Sequence, residues 1–583
     1  MMRVSYSCTV ALNALLFSAI AVTAQNSTDC KCIPGDACWP AAEAWAELNT
    51  TVSGKLIANK PLAHVCHDPD YDEAACTELK SEWVWPLVFQ DAPTAMMDPV
   101  WQNCTPYTPR EQPCELGQDA VYSINVTSAS DMAAGVKFAA ANNIRLVVRN
   151  TGHDFLGKST GTGSLSLWTH NMRDIALIRN YTDPSTTYTG PALKLAAGVR
   201  GTDALSAASA SNLVALVGNC PTVGLVGGWT QGGGHSALSS THGMGADQVL
   251  AWDVVTAAGA LLTATPTEHP DLYWAMSGGG PGAYAVAAAV TIRVFPDQRV
   301  GGAALAFASP AANSSSSAAE ADAYWNAVRA FLAALPQIVD LGGHVGFSLS
   351  AAGFRILPLT LPGADEADTR AAMAPFVEEL TALGVPFSYN VTSFATFEEH
   401  YDAYLGPIPR GTMNINVMMG GRLVPREVVE RDNGTAVAGA LRELRGGEGA
   451  VPGLILAGVA MRGTDARRAV APNALLPQWR GSLVSVLAAV PWDFAAADEV
   501  NRERERALNE VVVPRLEALT PGSGTYLNEA SYLNPNWKED YYGVNYERLR
   551  EVKGAWDPEG LFYGPTMVGS DEWVERDGRL CRV

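Results

Sequence analysis

The sequence predicts an α+β protein with more than one domain. In its first half a strand, a helix and a second strand follow one another directly, which is typical of a small mixed lobe. After Pro296, alanine-rich helical stretches alternate with apolar extended runs. Of the 583 residues, 48% are hydrophobic and only 17% are charged, so the chain can bury a large core. We therefore expect a globular protein, and no internal repeat is evident.

The first predicted lobe begins near residue 120. Residues 121–126 are predicted as a strand, 130–142 as a helix capped by Ser130 or Asp131, and 144–148 as a second strand. Further elements are predicted as strands at residues 165–168, 193–198, 249–255 and 290–294 and as a helix at 202–209.

The second region also mixes helices with strands. Helical periodicity predicts helices at residues 321–335, 369–383 and 498–513, the last stopped or kinked by Pro514. Apolar extended runs predict strands at residues 345–349, 354–361, 414–419 and 454–459. This pattern predicts an α+β layer in which helices cover one face of a sheet.

Charge and the N-terminus limit the possible partners. The formal net charge is −20, whereas nucleic acids and acidic membranes need a basic surface, so neither partner is expected. Residues 1–24 combine Arg3, an apolar run too short to span a membrane and a small-residue ending, which is typical of a signal peptide. We expect a secreted, extracellular protein with N-linked glycans. The Asn-x-Ser/Thr sequons lie at Asn26, Asn49, Asn103, Asn125, Asn180, Asn313, Asn390 and Asn433.

The cysteine count indicates one unpaired thiol. Ten cysteines are present and Cys8 would leave with the signal peptide, so an odd number remains. If Cys220 is the unpaired one, the other eight can close four disulfides, whose connectivity stays open. Zinc is the alternative for Cys30 and Cys32, although an oxidising compartment favours disulfides. Residues 25–115 are predicted as a disulfide-stapled wrap over a larger body.

One glycine-dense loop contains Cys220. Residues 218–234 have the sequence GNCPTVGLVGGWTQGGG. Glycines lack a Cβ and let backbone N–H groups approach an anion closely, so the loop predicts a cradle for a phosphate or pyrophosphate. A second segment, 149–155, follows the strand at 144–148 and presents His153 just past the strand end. The glycine and hydroxyl cluster at 157–161 can also donate to phosphate.

A third glycine cluster partly matches a dinucleotide-binding fingerprint. Residues 278–283 read GGGPGA and fit Gly-x-Gly-x-x-Ala, but Pro281 interrupts the pattern and no strand leads into it. A Rossmann fold is therefore not predicted.

The histidine and cysteine segments together resemble a known flavoprotein family. RNTGH at 149–153 and CPTVG at 220–224 resemble the motifs of the vanillyl-alcohol oxidase and p-cresol methylhydroxylase superfamily, most closely its berberine-bridge-enzyme-like branch. Within that branch, GGWTQGGGHS at 227–236 is most similar to the fungal isoamyl-alcohol-oxidase-type members. The segment from Thr525 resembles the terminal motif with which that branch completes its flavin domain. In that branch both side chains bond to FAD, so the resemblance implies covalent FAD on His153 and Cys220.

The resemblance also implies the fold. A two-lobed FAD-binding domain of the p-cresol methylhydroxylase type is expected beside an α+β substrate domain with an antiparallel sheet covered by helices. The implied boundaries are 1–24 for the signal peptide, 25–115 for the disulfide-rich segment, 116–298 for the FAD-binding domain, 299–520 for the substrate domain and 521–583 for the C-terminal segment.

The expected FAD contacts lie in three stretches of the chain. They are His153, Cys220, Arg149, Thr151, Gly152, Asp154, Phe155, Ser159, Thr160, Pro221, Thr222, Val223, Gly224, Gly227, Gly228, Gly232, Gly233, Gly234, His235, Tyr542 and Asn545. Attack on the flavin requires a thiolate, so we expect the N–H-rich loop to favour ionised Cys220. No metal site is expected, because His235 and His242 match no usual zinc spacing.

A base should accept the substrate's hydroxyl proton as hydride leaves. The resemblance assigns this role to Tyr526, with Asn528 as its hydrogen-bonding neighbour, while simple packing is the alternative role for Tyr526. Many relatives have Tyr-x-Asn-Tyr where this chain ends the motif with Glu529.

The resemblance implies a secreted oxidase. A small-molecule alcohol, carbohydrate or secondary metabolite would pass hydride to FAD, and dioxygen would regenerate the flavin and give hydrogen peroxide. The alternatives are an oxidative cyclase of secondary metabolism and a non-catalytic flavoprotein that serves as a scaffold.

Overall fold

The computed structural model describes residues 30–310, 317–406, 416–447, 450–463, 465–576 and 578–583. The predicted signal peptide, the sequons at Asn26 and Asn313, and the start of the strand predicted at 414–419 lie outside these residues. The described chain folds around three larger sheets, of four, five and seven strands, together with many helices. The predicted α+β class is confirmed.

The elements are named in chain order. The strands are β1 (Leu56–Ala58), β2 (Tyr122–Asn125), β3 (Leu146–Arg149), β4 (Leu165–Trp168), β5 (Ile175–Thr182), β6 (Thr189–Ala196), β7 (Leu213–Val214), β8 (Val249–Val255), β9 (Leu261–Ala264), β10 (Val286–Arg293), β11 (Phe295–Pro296), β12 (Val300–Ala308), β13 (His344–Ser350), β14 (Gly353–Pro362), β15 (Ser388–Phe394), β16 (Val417–Pro425), β17 (Ile455–Met461), β18 (Ser482–Pro491), β19 (Trp573–Arg576) and β20 (Arg579–Arg582). The α-helices are α1 (Ala42–Thr51), α2 (Glu73–Glu82), α3 (Pro86–Gln90), α4 (Ala129–Ala141), α5 (Gly201–Ser209), α6 (Ser239–His242), α7 (Pro270–Met276), α8 (Ala318–Asp340), α9 (Glu366–Ala382), α10 (Phe397–Tyr404), α11 (Arg426–Glu430), α12 (Thr435–Gly446), α13 (Asp498–Ala507), α14 (Val513–Leu519), α15 (Trp537–Tyr542) and α16 (Tyr546–Trp556).

The first lobe is built on the four-stranded sheet, in the order β1-β2-β4-β3. The last three strands are parallel, and β1 runs antiparallel to β2 at the edge. Helix α4 buries Met132 and Val136 in this lobe's core. Its cap differs from the prediction: the Ser128 hydroxyl accepts the Asp131 N–H, because the helix begins at Ala129 and Ser128 is the residue with extended backbone before it.

The second lobe contains the five-stranded sheet, in the order β5-β6-β10-β8-β9. All its pairings are antiparallel. Central strand β10 is buried along almost its whole length, which explains its continuous apolar sequence without alternation. Helix α16, from the C-terminal segment, packs against α7 of this lobe.

The seven-stranded sheet is antiparallel throughout, in the order β15-β12-β14-β13-β17-β18-β16. Helices α8, α9, α11 and α14 contact it. The predicted antiparallel sheet covered by helices is confirmed. The helix predicted at 498–513 ends as α13 at Ala507, and one π-helical turn joins it to α14, whose first turn holds Pro514. A proline is tolerated there because a first-turn N–H has no partner within the helix.

Four disulfides are present: Cys30–Cys581, Cys32–Cys38, Cys66–Cys76 and Cys104–Cys114. Cys220 is the free cysteine of the described chain, as the count predicted. The zinc alternative for Cys30 and Cys32 is wrong, because both sulfurs are in disulfides. Within the described ranges, no helix is both long enough and apolar enough to cross a membrane.

A buried lysine ties the C-terminal segment to the second lobe. Lys553 Nζ on α16 donates to the Ala283 carbonyl at 2.8 Å, to the Phe562 carbonyl at 2.7 Å and to Asp557 Oδ2 at 2.6 Å. The lysine side chain is 5% exposed and the aspartate 0%, so the pair has little contact with solvent. Its loss would leave the buried Asp557 carboxylate without a counter-ion, held only by the backbone N–H groups of Leu561 and Phe562, and would remove a donor from two carbonyls.

We predict that Lys553→Ala lowers the free energy of unfolding by about 3–5 kcal/mol, because removing one partner of a buried ion pair strands the other. Lys194→Ala is the matched control. Lys194 pairs with Asp253 at the same 2.6 Å, but its side chain is 47% exposed. The control should cost less than about 1 kcal/mol in denaturant titration. Equal costs for the two variants would contradict this prediction.

Candidate active site

A cleft with an empty volume of about 1360 Å³ lies between the two smaller lobes. Strand β3 and the loop after it form one side, and the start of β10 with the glycine-dense loop forms the other. Two parts of the C-terminal segment complete the wall, residues 526–529 and 562–567. Its lining combines apolar and aromatic side chains with a few polar groups, which is typical of a cofactor or substrate site.

About half of the predicted contact residues line this cleft. Those that do are Thr151, Gly152, His153, Asp154, Phe155, Ser159, Val223, Gly224, Gly227, Gly228, Tyr526 and Asn528. Those that do not are Cys220, Arg149, Thr160, Pro221, Thr222, Gly232, Gly233, Gly234, His235, Tyr542 and Asn545. Within the second group, Thr222 contacts the lining residue His153 directly, and Cys220 contacts Thr222.

His153 and Cys220 meet at one buried hydroxyl. Thr222 Oγ1 lies 2.8 Å from His153 Nε2 and 3.3 Å from Cys220 Sγ. The two side chains come from different lobes and are far apart in sequence, so the fold alone brings them together. Behind them, the buried Gln90 side chain donates from Nε2 to the Thr222 carbonyl at 2.6 Å. Gln90 belongs to the disulfide-rich segment, in which the sequence offered no chemistry.

Burial keeps both of these groups uncharged. It lowers the pKa of His153 to about 4 and raises the pKa of the Cys220 thiol above its usual value. Hydrogen bonds from Thr222 oppose the shift at Cys220 without overcoming it. The expectation of a loop that favours the thiolate is therefore wrong, because loss of solvent outweighs the N–H groups of the loop.

Arg149 organises the wall from behind. Its guanidinium donates to the carbonyls of Phe89 at 2.7 Å and Thr94 at 3.2 Å, both in the disulfide-rich segment. Gly152, the next motif residue, has φ +80°, and a Cβ there would lie 2.8 Å from Arg149 Nη2. This position therefore requires glycine both for its backbone conformation and for the space beside the guanidinium.

The hydroxyl cluster after His153 serves the loop itself. The Asp154 carboxylate accepts the Leu156 N–H at 3.0 Å, the Ser159 N–H at 2.7 Å and the Ser159 hydroxyl at 2.8 Å. The Thr160 hydroxyl donates to the Gln118 carbonyl at 2.6 Å, away from the cleft. Neither hydroxyl is free to donate to a phosphate in this arrangement.

Lys158 belongs to the 157–161 cluster predicted to donate to phosphate, but it is not among the predicted FAD contacts. It lines the cleft, is 7% exposed, and its Nζ has no hydrogen-bond partner among the described residues. Burial lowers its pKa to about 8, while nearby Asp154 acts in the opposite direction. A buried cation without a partner is costly, so the site suits an anionic ligand. Pro281 and Gly282, which belong to the glycine cluster at 278–283, also line the cleft.

The glycine-dense loop packs tightly on the C-terminal segment. A Cβ on Gly232 would lie 2.4 Å from Asn528 Nδ2. That amide donates to the Gly228 carbonyl at 2.8 Å and to the Tyr526 hydroxyl at 2.9 Å. Tyr542 and Asn545 lie farther away: the Tyr542 hydroxyl donates to the Thr566 carbonyl, and the Asn545 amide to two backbone carbonyls.

A carboxylate and a histidine lie beside Tyr526. Glu529 lines the cleft and its Oε1 is 3.1 Å from His235 Nε2. The His235 ring packs edge-on against Tyr526 with centroids 5.2 Å apart. Burial, followed by the charge of Glu529, raises the pKa of Tyr526 far above its usual value. The phenol therefore stays protonated at neutral pH, which is unfavourable for a base.

Comparison with known proteins identifies the family. Residues 121–265 match the family model described as an FAD binding domain, and residues 525–568 match the model described as berberine and berberine like. The FAD-linked oxidoreductase patO of Aspergillus clavatus is 42% identical over 560 residues, which cover 96% of this chain and 95% of the relative. The chain belongs to the VAO-type, berberine-bridge-enzyme-like family of FAD-linked oxidoreductases.

Solved structures agree with this membership. The crystal structure of the VAO-type flavoprotein MtVAO615 from Myceliophthora thermophila C1 is 41% identical, with a TM-score of 0.89 over 95% of this chain and 100% of that chain. A more distant neighbour, glucooligosaccharide oxidase from Acremonium strictum, carries a 6-S-cysteinyl, 8α-N1-histidyl FAD. It is 17% identical with a TM-score of 0.61, over 77% of this chain and 92% of that chain, and so shares the fold.

The predicted family, FAD-binding domain and oxidoreductase class are confirmed. The residues present fit this cofactor: Lys158 would offer a buried positive charge to its pyrophosphate, and the glycine backbone of the wall would allow close approach.

Proposed function

We propose that this FAD-linked oxidoreductase is a secreted oxidase whose FAD is bonded to both His153 and Cys220. The observation that carries the proposal is the contact of both side chains with the Thr222 hydroxyl, at 2.8 and 3.3 Å. His153 lines the cleft and Cys220 lies directly behind its wall. The same pair of residue types bears the flavin in the Acremonium oxidase, which supports the linkage.

Bound FAD supplies hydride acceptance, and we propose dioxygen as the final acceptor, giving hydrogen peroxide. The protein supplies position, exclusion of water and a proton acceptor. Two anchors would fix the flavin while leaving an open side for a bulky alcohol, carbohydrate or secondary metabolite. Glu529 is the acidic side chain lining the end of the cleft at Tyr526 and Asn528, and this favours a neutral or cationic substrate over a carboxylate.

We revise the role of the base. The predicted base, Tyr526, has a raised pKa and a hydroxyl that accepts from Asn528 Nδ2, so we propose that it donates a hydrogen bond to the substrate. Glu529, paired with His235 at 3.1 Å, is the better proton acceptor in our proposal. The Asn528 amide then holds the Tyr526 phenol in place, because it is itself anchored by its hydrogen bond to the Gly228 carbonyl.

Secretion and glycosylation are part of the proposal. Four disulfides favour an oxidising compartment. Sequon residues Asn103, Asn180, Asn390 and Asn433 are exposed, which is a requirement for N-glycans, whereas Asn49 and Asn125 are half-buried.

We also propose the domain boundaries 25–115, 116–298, 299–520 and 521–583. Strands β2 to β11 lie before 298, and the seven-stranded sheet lies within 299–520, which supports the two main boundaries. Segment 25–115 is more than a wrap in this division, because β1 pairs with β2 of the first lobe.

Peroxide formation tests the proposed oxidase directly. The purified protein would be photoreduced without oxygen and then exposed to air, and peroxide would be measured with panels of alcohols, oligosaccharides and phenolic metabolites. An oxidase reoxidises rapidly and gives peroxide with at least one panel member. A flavin inert to dioxygen and to every compound would indicate a scaffold, and a product with a new ring would indicate a cyclase.

We predict that Cys220→Ala retains flavin in acid-precipitated protein through the histidyl bond, and that His153→Ala does so through the cysteinyl bond after prolonged incubation in air. The double variant should release all its flavin into the supernatant, because only non-covalent contacts would hold it. Flavin absorbance of pellet and supernatant measures this, with Cys220→Ser as the control for loss of sulfur alone. Release from either single variant would mean that the other residue carries no bond.

We predict that Glu529→Gln lowers kcat/KM by about 10²–10⁴ on a substrate found in the panel, because the amide cannot accept a proton. Tyr526→Phe should cost only about tenfold, the value of one hydrogen bond. Steady-state peroxide formation measures both variants. The reverse order, with a larger loss for Tyr526→Phe, would restore tyrosine as the base.

A further inference from the structure

One hydroxyl contacts both side chains that are proposed to carry the flavin. Thr222 is 0% exposed, and its Oγ1 lies between His153 Nε2 at 2.8 Å and Cys220 Sγ at 3.3 Å. Gln90 Nε2 donates a hydrogen bond to the Thr222 backbone carbonyl and so holds the threonine in place. With Thr222 fully buried and Cys220 5% exposed, there is little solvent to take a proton from this sulfur.

The protonation states at this contact matter for bond formation. Burial raises the pKa of the Cys220 thiol and lowers that of the His153 imidazole to about 4, so both groups are neutral near pH 7. A neutral thiol must lose its proton as its sulfur forms a bond. A partner that accepts this proton within the buried site is therefore required.

Hydrogen bonding also determines which nitrogen of His153 can bond to FAD. Nε2 is engaged by Thr222 Oγ1, which leaves Nδ1 as the nitrogen free to bond in the cleft. Once Nδ1 carries carbon, neutral Nε2 has no proton and can only accept. The Thr222 hydroxyl must then donate to Nε2, and its oxygen is left to accept from the Cys220 thiol.

We propose that Thr222 positions Cys220 and relays its proton during formation of the cysteinyl bond to FAD. As sulfur bonds to ring carbon C6, the thiol proton passes to the Thr222 hydroxyl, whose own proton passes to His153 Nε2. The new C–S bond replaces one S–H and one ring C–H bond. The two electrons released reduce the flavin, and dioxygen takes them up as hydrogen peroxide together with two protons, the one held at His153 Nε2 and the one lost from C6. This inference rests on the bicovalent FAD proposed above.

The test measures each bond separately and needs no substrate. Thr222→Val and Thr222→Ser would be produced in riboflavin-starved cells, loaded with FAD in air, and digested at timed intervals. Mass spectrometry then follows the flavin-bearing peptides of His153 and Cys220. We expect Thr222→Val to keep the histidyl bond and to form the cysteinyl bond at least about tenfold more slowly. Thr222→Ser, which keeps the hydroxyl, should stay within about twofold of the natural rate.

Thr230→Val is the matched control. Thr230 lies in the same loop, is equally buried, and its hydroxyl donates to the Leu225 carbonyl rather than to a side chain that is proposed to carry the flavin. Both bonds should form at the natural rate in this variant. If Thr222→Val does not fold, Thr222→Ala replaces it, and thermal unfolding establishes which variant is used.

A proton relay should also make cysteinyl attachment slower in deuterium oxide in the natural protein. The inference is overturned if Thr222→Val forms the cysteinyl bond at the natural rate, if it loses both bonds together, or if deuterium oxide has no effect. If the natural protein carries neither bond, the proposed bicovalent attachment itself has failed. If the natural protein carries both bonds and Thr222→Val also forms both at the natural rate, only the proposed role of Thr222 has failed.

Discussion

The contact of the Thr222 hydroxyl with His153 and Cys220 is the interaction on which the site depends. Three parts of the chain must be in place to make it: the loop after β3 presents the histidine, the glycine-dense loop carries the cysteine, and Gln90 of the disulfide-rich segment holds the threonine backbone. The two lobes and the N-terminal segment are therefore joined at the proposed point of flavin attachment.

Burial determines the chemistry around this contact. The thiol and the imidazole are both neutral, so bond formation cannot rely on a preformed thiolate. The buried Lys158 amine lines the cleft and has no hydrogen-bond partner in the part of the chain that the structure describes, so an anionic cofactor would stabilise it. Glu529 and His235 place a proton acceptor beside a tyrosine that burial keeps protonated. The lining of the cleft therefore combines an amine suited to an anion with the carboxylate that we propose for proton transfer.

Local patterns in the sequence predicted much of the fold. Helical periodicity located α4, α8 and α9, and β-branched runs located most central strands, because these signals depend on neighbours within a few residues. Strand β18, which is apolar and almost wholly buried, was missed for lack of alternation. The exact cap of α4 also escaped prediction, since Ser128, Ser130 and Asp131 all have suitable side chains.

The site was predictable only where a motif carried it. His153 and Cys220 were selected by family motifs, whereas Gln90 and Lys158 depend on contacts between distant segments and on burial, which a sequence does not display. The same limit explains the wrong thiolate expectation, because the loop's glycines were visible and the loss of solvent was not. The most direct measurement is the intact mass of the natural protein under denaturing, non-reducing conditions, with titration of free thiols. The account predicts a mass increase of one FAD and no free thiol. A chain without flavin and with one free thiol would contradict it.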